Sequence, residues 1–150
     1  MTSISEFLGI NYIVIAPTLA LLLTVIVLLF CTITISTPMY VKKYVSFFGI
    51  LLTLFTIFLK FGLFLTDGVS SYFSEKILLD EFALVGNVLI GLVLLFTFNS
   101  FWQTSEMIEN KTTEALILVL MSASGFLLMV DSENFIMLFI GLESGSISLY

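Results

Sequence analysis

Residues 12–35 read YIVIAPTLALLLTVIVLLFCTITI, an apolar run without one charged side chain. As a helix rising 1.5 Å per residue, a run of this length crosses the ~30 Å hydrocarbon layer of a bilayer. Working outward, mostly apolar runs recur at 44–65, 82–102 and 113–130, and a shorter one occupies 135–150. The separators are polar or turn-forming: Pro38 with Lys42 and Lys43, Thr66-Asp67-Gly68, the stretch Val69 to Glu81, Gln103 to Asn110, and Asp131-Ser132-Glu133-Asn134. In hydrocarbon every backbone N–H and C=O must be satisfied within the protein, which leaves helices or a closed barrel. Barrel strands alternate apolar and polar residues, whereas these runs are continuously apolar. The expected fold is therefore all-α: a single transmembrane domain over 1–150, a bundle of about five membrane helices.

Composition agrees. Of the 150 residues, 59% are hydrophobic and 11% charged, far from the balance of a soluble domain. The basic residues are all lysines, five against eleven acids, for a net charge of -6. That excludes a nucleic-acid partner, which needs a basic face. With no histidine and the single Cys31, neither histidine catalysis nor a thiolate zinc site can be built within the chain. There is no phosphate loop, no dinucleotide glycine pattern and no nucleophile beside a base, so a self-contained soluble-type enzyme is excluded. The first eleven residues lack a basic region, so no cleavable signal or import sequence is expected. Lysine counting places the amino terminus outside, with Lys42, Lys43 and Lys111 on the inner side against Lys76 and Lys60 outside. Tyr12, Tyr44, Trp102 and Tyr150 fall at span ends, as interfacial aromatics do.

Glu143 stands apart from the other acids. It follows Asn134 by nine residues, roughly 13 Å along a helix axis, which places it near the bilayer centre. An ionised carboxylate there is costly, so it stays protonated or meets a cation or water, the alternatives a proton-carrying site uses. The bland reading is a neutral acid bonding across a helix interface. Gly141 and Gly145, extended by Ser148, form a small-residue face suited to close helix packing. Glu143 faces nearly the opposite way, and Ser146 shares its side as a possible proton relay. Lys60, inside the second span, is expected to snorkel its ammonium to the interface. Asn87 is expected to bond a neighbouring helix, and Asp131 and Glu133 to suit the positive start of the fifth helix.

Three stretches carry a resemblance: Asp80-Glu81-Phe82-Ala83-Leu84, the run from Glu114 to Leu128, and above all Asn134-Phe135-Ile136-Met137-Leu138-Phe139-Ile140-Gly141-Leu142-Glu143-Ser144-Gly145-Ser146-Ile147-Ser148-Leu149-Tyr150. In that order they resemble the amino-terminal part of the antiporter-like subunit of respiratory complex I called subunit 2 in mitochondria and subunit N in bacteria. Only the last stretch is a specific motif, and paralogous antiporter-like subunits share it. The resemblance implies that Glu143 is the fifth-helix glutamate of a proton-translocation half-channel, coupled to a lysine on a later helix, in a complex that couples NADH:ubiquinone electron transfer to proton translocation. It implies a non-redox subunit that binds no cofactor, with FMN, iron–sulfur clusters and ubiquinone elsewhere in the complex. Ser144-Gly145 replaces a usually bulkier segment, and Ser148 stands where many relatives have proline. The family continues for many more helices, so the stop at Tyr150 predicts a subunit encoded in two pieces, with a second chain and other complex I membrane subunits as partners. Abundant phenylalanine without arginine suggests the mitochondrial inner membrane, the bacterial plasma membrane being the alternative. The competing functions are a subunit of a multisubunit cation/proton antiporter and a non-pumping structural subunit. A three-helix complex I subunit with buried glutamates fits the span count poorly.

Overall fold

The computed structural model describes residues 4–34, 38–72, 77–102, 109–148 and 150. The element order is α1 (Ile4–Thr34), α2 (Met39–Asp67), β1 (Ser70–Tyr72), β2 (Ile77–Leu79), α3 (Glu81–Trp102), α4 (Glu109–Val130) and α5 (Phe135–Ile147). The first four helices each contain a segment long and apolar enough to cross a membrane: Tyr12–Ile33, Met39–Thr66, Glu81–Trp102 and Lys111–Val130. The chain is a multi-pass membrane protein of the helical class expected. α2 extends beyond the expected span at both ends, starting directly after Pro38, whose fixed φ suits a helix start. Gly68 ends it with φ 70°, and its N–H donates to Phe64 O at 2.9 Å, the turn that Thr66-Asp67-Gly68 announces.

α4 is the hub, packing against α5, α1 and α3, while α2 packs on α1 and α3. The shared core joins Leu21, Val25 and Leu28 of α1, Ile50 of α2, Leu94 and Phe98 of α3, and Leu116, Leu120 and Leu127 of α4. Several hydroxyls inside the spans are satisfied within their own helices. Thr24 and Thr53 donate to Ala20 O and Gly49 O at 2.7 and 2.9 Å, which lets them sit among lipid and core without an unmet donor. At one end Tyr44 meets Trp102 edge-on with centroids 5.7 Å apart, and Lys43 Nζ donates to Trp102 O at 3.0 Å. This aromatic cluster fits the expected interfacial belt.

The polar connection after α2 holds a feature the sequence did not announce. β1 and β2 pair antiparallel, Ser70 opposite Leu79 and Tyr72 opposite Ile77. Three-residue strands are too short to show alternation. The hairpin is held from below: Ile77 and Leu79 are buried, Leu78 N–H donates to Asp131 O at 2.9 Å, and Ile77 bridges to Ser132. β2 therefore lies along the turn between α4 and α5. The expected positions of Glu75, Lys76 and residues 103–108 lie outside the described residues.

Candidate functional site

Two groups of residues are set by this architecture. The first is the α4–α5 contact. A Cβ on Gly141 would come within 2.6 Å of Met129 N and 2.9 Å of Gly125 O, so the two backbones touch without side chains between them. A Cβ on Gly145 would meet the Phe126 ring at 3.0 Å, and one on Gly125 would meet the Gly145 backbone. Ser122 Oγ donates across the interface to Gly145 O at 2.8 Å. Ser148 is buried on the same side, and its Oγ donates to Ser144 O at 3.0 Å. Gly141 and Gly145 thus lie on the face that meets α4, and the buried Ser148 follows them at helical spacing.

Glu143 lies on the other side of α5 and is exposed. Its helical neighbours at the spacing of one and two turns, Ile136, Phe139 and Ile147, are 65%, 52% and 65% exposed. The carboxylate therefore stands in an open apolar stripe, a surface suited to lipid or to further helices. Ser146 Oγ donates to Glu143 O at 3.2 Å, so its hydroxyl serves the helix backbone and is not directed at the carboxylate. Among the described residues no cluster of three or more Cys, Asp or Glu could hold a metal.

The second group was not assembled by sequence reasoning. Lys60 of α2 and Asp131, directly after α4, form an ion pair with Nζ 2.6 Å from Oδ1, their side chains 0% and 2% exposed. Asn87 of α3, also 0% exposed, donates from Nδ2 to the same Oδ1 at 2.8 Å. Beyond this ion pair Lys60 Nζ has no hydrogen-bond partner among the described residues, and the buried Asn87 Oδ1 has none. Asp80 stands close by. It caps α3, accepting from Ala83 N–H at 2.7 Å, and its charge acts on both members of the pair.

Two expectations are corrected here. Lys60 does not snorkel, because a carboxylate inside the bundle offers its ammonium a nearer partner than the interface does. Asp131 does not serve the start of α5. Asn134 caps that helix, its side chain accepting from Ile136 N–H at 2.9 Å. Asp131 instead follows the C-terminal end of α4, where the helix dipole disfavours a carboxylate. Burial pushes its carboxyl above the usual range, against the opposing pull of Lys60 and Asn87. Asn87 does bond across helices, as expected. The signal that could have exposed the pair is a lysine deep in one span facing an acid at the end of another. Both lie at the hairpin end of the bundle, near the C-terminal ends of α2 and α4, which run in the same direction.

No protein-family model matches the chain. It is similar to the NADH-quinone oxidoreductase subunit N of Campylobacter concisus, 33% identical over 95 residues that make up 63% of this chain and 19% of the relative. It is also similar to subunit N of Sulfurovum sp. strain NBC37-1, 34% identical over 103 residues, 67% of this chain and 21% of the relative. A third relative is subunit N 1 of Aquifex aeolicus, 26% identical over 113 residues, 73% and 24% respectively. The aligned stretch spans about a fifth of the length of the curated relatives it matches. The resemblance to subunit N read from the sequence is borne out by these relatives, with no specifically mitochondrial feature added by them.

Proposed function

We propose, for a chain that is subunit N-like in sequence, that it forms part of the proton-translocating membrane arm of an NADH:quinone oxidoreductase, and that Glu143 is its proton-carrying residue. The observation supporting this is the position of Glu143: a carboxylate within an apolar helix, turned away from the α4 contact and set in an exposed apolar stripe. Left facing lipid, it would have neither water nor a charged partner with which to exchange a proton. Covered by further antiporter-like helices, it gains a partner whose charge sets its protonation.

In this reading the covering helices come from a second chain and bring a lysine. Approach of that ammonium favours the carboxylate, and its withdrawal or neutralisation favours uptake of a proton. Gly141, Gly145 and Ser148 fix α5 on α4, so that the Glu143 side stays turned towards the covering helices. This chain holds no redox group: flavin, iron–sulfur clusters and quinone belong to other subunits. Its membrane is the mitochondrial inner membrane or the bacterial plasma membrane.

Purification of the chain from its native membrane under mild detergent tests the assignment. Co-purification of flavin and iron–sulfur absorbance with NADH:quinone reductase activity is expected. Assembly with membrane subunits alone would instead indicate a cation/proton antiporter.

The orientation proposed has the hairpin on the outer side and Lys42 and Lys43 on the matrix or cytoplasmic side. In a Cys31→Ala background, a cysteine at the exposed Ser71 is expected to react with an impermeant maleimide from the outer face, and one at the exposed Tyr40 from the inner face. The reverse pattern would invert the topology.

A further inference from the structure

The Lys60–Asp131–Asn87 cluster has no role in the mechanism above, yet its burial is costly. Removing an ammonium and a carboxylate from water costs several kcal/mol per ion, and an apolar pair of similar volume would fill the same space without that cost. Two further atoms, Lys60 Nζ and Asn87 Oδ1, are buried with hydrogen-bonding capacity unspent. They belong to side chains that both touch Asp131 Oδ1, so they lie close together beside the same carboxylate oxygen. A water bridging the ammonium to the amide oxygen would satisfy both.

Asn87 is also chemically suited to either state of Asp131. Its amide donates from Nδ2 to the carboxylate, and after rotation its Oδ1 accepts from the protonated acid. A fixed structural pair does not require a neighbour that serves both forms. The location is equally specific. The cluster lies beneath β2, whose Leu78 N–H holds Asp131 O, and the chain runs from Asp131 through the Asn134 cap directly into the helix that carries Glu143.

We infer that Lys60, Asp131 and Asn87 form a second proton-holding position, with a bound water as its ligand, through which protons pass from the hairpin side into the bundle. The inference rests on the proton-translocating reading of the chain. In the resting form Lys60 is an ammonium and Asp131 a carboxylate. A proton from water on the hairpin side bonds to Asp131, leaving a neutral acid beside the ammonium. The ammonium then releases a proton from Nζ to a water within the bundle, leaving a neutral amine. Transfer of the acid proton to that amine restores the ion pair. One proton enters and one leaves, and nothing is oxidised or reduced. Asp80, half-buried at the start of α3, supplies negative charge that attracts the incoming proton.

The test uses the intact complex carrying Lys60→Met with Asp131→Asn, which removes both titrating groups while keeping an amide to bond Asn87. The expected result is normal assembly and quinone reduction with fewer protons moved per electron pair. Normal assembly with an unchanged ratio would overturn the inference and leave a structural clamp. A second measurement applies whether or not that variant assembles: infrared difference spectra of the turning-over complex. A carboxyl C=O band that shifts in the charge-conserving Asp131→Glu variant is expected, and the absence of any such band would overturn the inference. Glu143→Gln separates the two proposals, since normal pumping in that variant removes the underlying reading without altering the Asp131 band.

Discussion

Lys60→Met alone is expected to cost about 3–5 kcal/mol of stability, because it leaves the buried Asp131 carboxylate without its cation. The remaining Asn87 N–H cannot balance a full buried charge, and the hairpin bonded to Asp131 O loses its firm support. Asp131→Asn should cost a comparable amount, leaving the Lys60 ammonium buried among neutral groups. The double variant should be markedly more stable than the sum of the single losses implies, since no charge is left unpaired. Thermal denaturation of the detergent-solubilised assembly, with the yield of assembled complex, reads all three. Single variants as stable as the unaltered protein would mean that the pair is not buried inside the bundle.

Gly141→Leu is the second large effect. The Cβ alone would sit 2.6 Å from Met129 N, and the obstacle is backbone, which cannot swing aside as a side chain can. α5 must therefore lift from α4, breaking the Ser122–Gly145 hydrogen bond and the Gly125 contact together. Overpacking of this kind costs about 1–3 kcal/mol or more. Because α5 carries Glu143, both assembly and proton transfer should fall. Gly62→Leu is the matched control: a Cβ there meets nothing within 4 Å, and its helix face is open. It should leave the assembly intact. Equal losses at Gly62 and Gly141 would argue against close α4–α5 packing.

The legible and illegible parts of this molecule divide along a physical line. Membrane helices are written locally, as uninterrupted apolar runs, and the expected boundaries at Trp102, Val130 and Phe135 coincide with the observed ones. Gly68 announced its turn because that position needs a positive φ. Lys60 and Asp131 are different. Their meeting depends on how α2 and α4 pack, so a rule built on a residue's own position in its span directs the lysine to the interface. The hairpin was hidden for a related reason: its strands are held by contacts to the α4–α5 turn and carry little local pattern of their own. Glu143 drew notice from its depth and its motif, and helix geometry already set it opposite the glycine face; the packing of that face on α4 is what leaves it exposed.

Glu143→Gln offers the most direct test of the central claim, because it keeps the size and hydrogen-bonding capacity of the side chain and removes its titration. The measurement is the number of protons translocated per electron pair in a purified, vesicle-reconstituted complex that has assembled normally and still reduces quinone. A clear fall in that ratio, with assembly intact, is the predicted result; an unchanged ratio would contradict the assignment of Glu143 as a proton carrier.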